Sequence, residues 1–192
     1  MRLIQLAFAA MIVAAVAAAS PSGPGLRGTV WVGARPEVNA VVWVDAPDVP
    51  PLHTPRKVVL DQRDLSFSPQ VLAVQVGTVV EFPNNDRVFH NVFSFRDGKR
   101  FDLGLYPVGV VKYVTFDRPG LSRIFCNIHP TMAAYVLAVE SSYFAVSDLN
   151  GTFRIPMLPA AKYVYHAWRP GGPILSSEVS LDGDAPLEIH WP

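Results

Sequence analysis

Cys126, His129 and Met132 fall in one short segment, Phe125-Cys126-Asn127-Ile128-His129-Pro130-Thr131-Met132. It offers a thiol, an imidazole and a thioether where a strand is expected to end in a loop. Thiolate and thioether are soft ligands and imidazole is borderline, a mix that suits copper in both oxidation states. A cysteine loses its proton readily when a metal binds it. The spacing lets one loop wrap one ion, and Pro130 restricts that loop before any metal arrives.

Three donors from one loop leave a trigonal plane one imidazole short. His90 is the candidate for that place. It follows the turn signal Asn84-Asn85-Asp86, stands beside Asn91, and opens an expected strand. Two histidines and a cysteine in a plane, with a weak axial methionine, form the ligand set of electron-transfer copper. Plainer readings stay open at this point. Cys126 can be a small buried hydrophobe, His129 a loop histidine, and Met132 a core residue with a carbonyl or water in its axial place. His53, His166 and His190 have no soft partner nearby in the sequence.

The chain has a single cysteine, which excludes an internal disulfide. Its N-terminus reads as a targeting segment. Met1-Arg2 gives a positive start, Leu3 to Val16 an apolar run, and Ala17-Ala18-Ala19 the small residues a signal peptidase needs. Residues 1–19 are therefore expected to be removed on export to the periplasm, and residues 20–25, rich in Pro, Ser and Gly, to act as a tether. A lone thiol in an oxidising compartment is an accident, a dimer link or a ligand, and its neighbours favour the last.

The elements that must position these residues are strands. Short runs of Val, Phe, Tyr and Ile alternate with Gly, Pro, Asn and Asp, and helical periodicity is absent beyond the N-terminal segment. Strands are expected at 28–32, 40–44, 57–60, 71–76, 78–82, 90–95, 109–116, 122–126 and 133–140. Residues 45–56, with four prolines, read as a long loop. A block of different character begins near Tyr143. There, 144–146 and 152–155 are expected to form a hairpin around Asn150-Gly151, followed by strands at 163–168, 178–181 and 187–191. The fold class is all-β, built of sandwiches.

Val79-Val80-Glu81-Phe82-Pro83-Asn84-Asn85-Asp86, Phe89-His90-Asn91-Val92, Arg118-Pro119-Gly120 and Cys126-x-x-His129-x-x-Met132 together resemble the plastocyanin/amicyanin family of cupredoxins. The gap between His129 and Met132 is like that of amicyanin. The resemblance covers roughly residues 57–140. It implies a Greek-key β-sandwich in residues 55–140 with one type 1 copper held by His90, Cys126, His129 and Met132 near one end. It also implies that Asn91 ties the His90 strand to the Cys126 loop. A weaker resemblance, to the carboxypeptidase-regulatory or transthyretin-like sandwich, rests on two segments. One is Leu26–Val32 with Asn39–Val44; the other is Phe144–Tyr163, with its Asn150-Gly151 and Leu158-Pro159 turns. It implies a second small sandwich, made of residues 26–50 and 141–192, into which the copper domain is inserted. Exported proteins joining two such modules, sometimes called methylamine-utilisation-like, are similar overall.

The resemblance implies outer-sphere electron transfer without catalysis, with a redox partner protein. A copper carrier or a non-catalytic envelope module is the alternative. Lys plus Arg number 16 and Asp plus Glu number 16, so the chain carries no charge footprint for nucleic acid. Phe125 and Asn127 flank the cysteine where copper enzymes that join two centres would place histidines.

Overall fold

The computed structural model describes residues 25–54, 57–95, 97–182 and 185–192, so the expected signal peptide and nearly all of the tether lie outside the described residues. Eighteen strands and no helix occur among the described residues. In chain order they are β1 (Gly25–Val32), β2 (Arg35–Pro36), β3 (Val41–Asp45), β4 (Lys57–Val59), β5 (Asp61–Arg63) and β6 (Ser66–Ser68). Next come β7 (Val71–Gln75), β8 (Thr78–Pro83), β9 (His90–Ser94), β10 (Phe101–Tyr106), β11 (Val111–Phe116) and β12 (Gly120–Phe125). The last are β13 (Ala133–Val139), β14 (Phe144–Val146), β15 (Thr152–Pro156), β16 (Lys162–Trp168), β17 (Leu175–Ser180) and β18 (Leu187–Trp191).

Four of the sheets make two sandwiches. In the first, the sheet β10-β9-β12-β13-β7 faces the sheet β11-β8-β4. Strand alternation sends Val80 and Phe82 of β8, Val114 and Phe116 of β11, Ile124 of β12 and Val136 of β13 into one shared core. Cys126 and Met132 belong to that same core. In the second, β15-β1-β18 faces β14-β3-β16-β17. Its core takes Leu26, Val30, Val42 and Val44 from before the first sandwich, and Phe153, Ile155, Tyr165 and Ile189 from after it. Gly28 is needed there, because a Cβ would stand 2.0 Å from the Leu187 carbonyl oxygen of β18.

The two sandwiches meet back to back. Leu137 and Val139 of β13 and Val71 of β7 pack on Val41 and Trp168. The Tyr135 ring meets that of Trp168 edge-on at 5.3 Å. No helix among the described residues is long and apolar enough to cross a membrane.

Two expectations need correction. Residues 144–146 and 152–155 do not pair with each other: β14 joins β3 and β15 joins β1. The intervening turn is a corner between facing sheets. Its residues bond to other strands, Ala40 N–H donating to Ser147 Oγ at 2.9 Å and Val30 N–H to the Gly151 carbonyl at 2.9 Å. Strand β10 was not anticipated, because Asp102 and Gly104 break the apolar alternation; its ladder with β9 is irregular between Asp102 and Leu105.

Candidate metal centre

The end of the first sandwich nearest β9 is built by Asn84. Its side-chain amide donates to the Val88 carbonyl at 2.9 Å and to the Tyr106 carbonyl at 3.1 Å, and its Oδ1 accepts from Asp86 N–H at 3.1 Å. These bonds shape the connection from β8 to β9. Beneath it, Gln62 bonds to the Tyr106 hydroxyl and donates to the Pro83 carbonyl at 2.9 Å. The Tyr106 hydroxyl in turn donates to the Phe82 carbonyl at 3.1 Å, and burial pushes its phenol well above the ordinary tyrosine range.

His90 opens β9, and Cys126 follows β12. The backbone from Cys126 to Met132 closes a tight loop. Met132 N–H donates to the His129 carbonyl at 2.9 Å, and Cys126 N–H to the Met132 carbonyl at 3.3 Å. Asn91 joins the two elements, its Oδ1 accepting from Asn127 N–H at 3.1 Å while its Nδ2 donates to Asp102 Oδ1 at 3.0 Å.

Three donor atoms converge as a result. Cys126 Sγ is 3.9 Å from His90 Nδ1 and 3.9 Å from His129 Nδ1, and the two Nδ1 atoms are 3.1 Å apart. His90 and Cys126 are buried and His129 is half-buried. Met132 is buried in the core beside Cys126. Two imidazole nitrogens and one thiol aimed at one small volume form a donor set that fits copper. His53, His166 and His190 lie elsewhere. His166 stacks on Trp43 and bonds Ser176 and Asp45, and His190 stacks on Trp31.

Sequence reasoning missed Asp86, which it had read only as part of a turn. Asp86 Oδ2 accepts the His90 Nε2–H at 2.9 Å, which leaves Nδ1 as the lone-pair nitrogen facing Cys126. Oδ2 also accepts Leu65 N–H at 2.7 Å, and Oδ1 accepts Arg87 N–H at 2.7 Å. The Leu65 N–H, with the Arg87 N–H and His90 adding to it, holds the Asp86 carboxyl down at about 2 although burial opposes ionisation. Leu65 reaches it from the β5–β6 hairpin, whose two turn residues, Asp64 and Leu65, have φ of 49° and 57°. A leucine in that region is strained, and the bond to Asp86 helps hold it there. The one available signal was a carboxylate four positions before a candidate ligand histidine.

No family model matches the chain, and no curated protein does. Solved structures do match. A purple cupredoxin from Nitrosopumilus maritimus is 25% identical at a TM-score of 0.38, covering 43% of this chain and 98% of that one. Amicyanin from Paracoccus versutus is 22% identical at 0.40, covering 51% and 97%. The copper-containing nitrite reductase from Thermus scotoductus is 28% identical at 0.42, covering 50% of this chain and only 25% of that enzyme. These structural neighbours are cupredoxins, at low TM-score and partial coverage.

Proposed function

We propose that this chain is a type 1 copper protein that carries single electrons, and that His90, Cys126, His129 and Met132 would hold the copper. The observation that supports this most is the convergence of two imidazole Nδ1 atoms and one thiol within 4.8 Å of one another. A bound copper ion would supply one-electron exchange there. The protein's part is positioning. Asp86 fixes the His90 tautomer, Asn91 locks the Cys126 loop to β9, and the core around Met132 excludes water. A site already shaped before metal arrives reorganises little when its charge changes.

Burial of His90 and Cys126 favours electron exchange over a carrier that hands copper on, since a carrier needs its ligands exposed. His129 is the ligand nearest solvent, and Val88, Phe89, Leu105 and Ile128 are exposed on the segments flanking the ligands. An apolar rim of this kind suits brief contact with a redox partner protein. We place the protein in the periplasm after signal cleavage, with residues 55–140 as a cupredoxin domain inserted into a transthyretin-like second sandwich, and assign it no catalysis. Electron exchange tests the function: the copper-loaded protein should be reduced and reoxidised through repeated cycles without losing metal. Transfer of the copper to a chelating apo-protein faster than electron exchange would show a carrier instead.

A further inference from the structure

Where the two sandwiches diverge beyond their contact, they leave a cleft of about 330 Å³, within the range of small-ligand sites. One wall is Trp43, Trp168 and Ile174 of the second sandwich; the other is Leu121 and Leu137 of the first. Trp168 and Leu137 are buried, whereas Ile174 is exposed at the rim. Among the described residues, the charged ones in the lining are Asp45 and Glu140, both acidic. Asp45 is held in place: its Oδ2 accepts His166 Nε2–H at 2.9 Å, and His166 Nδ1 bonds Ser176 Oγ at 2.7 Å. The His166 ring is stacked on Trp43 with centroids 5.1 Å apart. The nearby Arg169 pairs with Glu37 and lies over the Trp191 ring.

We propose that this cleft binds a small organic ammonium with an apolar body. The apolar body takes the space between Trp43, Leu121 and Leu137, where it loses contact with water. The ammonium group lies toward Asp45 and Glu140, within the attraction of the indole rings for a cation. An anion of the same shape meets two carboxylates and no cationic side chain in the lining, so it is rejected. The proposal does not depend on the metal, although β12 runs from the cleft at Gly120 and Leu121 to the residue preceding Cys126.

Titration of the metal-free protein with benzylammonium, benzyl alcohol and benzoate, followed by amide NMR shifts, tests it. Benzylammonium is expected to bind saturably, with shifts at Trp43, Asp45, Leu121 and Ile174, and benzoate at least about fivefold more weakly. The double variant Asp45→Asn/Glu140→Gln should weaken benzylammonium by about three- to fivefold and leave benzyl alcohol unchanged; the asparagine carbonyl still accepts from His166. Equal binding of benzoate and benzylammonium, no effect of the double variant, or no saturable shifts at the cleft would overturn the proposal.

Discussion

Replacing Asp86 by asparagine changes one atom at the deepest point of the site. The His90 imidazole it supports is fully buried, with a side-chain exposure of 0%, and the carboxylate is at 7%. The variant keeps an acceptor for the His90 Nε2–H but removes the negative charge. With its carbonyl kept toward His90 and Leu65, it turns its amide NH2 toward Arg87 N–H, which Oδ1 of the carboxylate now accepts. A hydrogen bond to a charged group contributes roughly 1.5–3 kcal/mol and a neutral one about 0.5–1.5, so about 1–1.5 kcal/mol of support for the more positive metal state is lost. At 59 mV per 1.4 kcal/mol for a one-electron couple, the reduction potential should rise by about 40–65 mV. Affinity for Cu(II) should fall by about tenfold or more. Voltammetry and competition against a copper chelator read the two effects, with Asp64→Asn as a control of equal charge change on the neighbouring turn. A folded Asp86→Asn protein whose potential stays put or falls, or whose shift Asp64→Asn reproduces, would refute the role assigned to Asp86.

Three further outcomes follow from the packing. Burial keeps the Tyr106 phenol neutral in the fold and raises its titration above the unfolded value. Its contribution to stability is therefore complete below about pH 10 and is lost as pH climbs through the folded value. Alkaline melting curves should show that loss, and Tyr106→Phe should flatten it. Leu158 has 0% exposure in the second core, so Leu158→Ala should destabilise that sandwich by about 2–5 kcal/mol, read by calorimetry, while leaving the spectrum of the copper-loaded protein unaltered. Asn91→Ala removes the acceptor for Asn127 N–H; it should broaden the metal signal in paramagnetic resonance and lower thermal stability by about 1–3 kcal/mol, whereas a sharp, unshifted signal would show that the loop holds itself.

The convergence of His90, Cys126 and His129 was legible because residues of three uncommon types, His, Cys and Met, stand in order. Cys126, His129 and Met132 share one loop, and the strand pattern sent His90 to the same end of the sandwich. Fold class was legible for a similar reason: period-two alternation in segments such as Thr78–Pro83 reports a half-buried strand directly. What escaped depends on contacts between segments distant in sequence. Asp86 reads as a turn residue until the Leu65 N–H and the His90 ring are placed against it. The corner at Ser147–Gly151 has the composition of a hairpin, and only its bonds to Val30 and Ala40 separate the two strands into different sheets. The cleft between sandwiches joins Trp43 to Leu121, a pairing that no local pattern contains.

Adding one equivalent of Cu(II) to the purified protein, and recording visible absorption and paramagnetic resonance beside a Cys126→Ala control, tests whether Cys126 binds copper as a thiolate. An intense thiolate-to-copper band with narrow hyperfine splitting is expected, both absent from the control. A weak band with ordinary tetragonal features, unchanged by the substitution, would contradict that ligation.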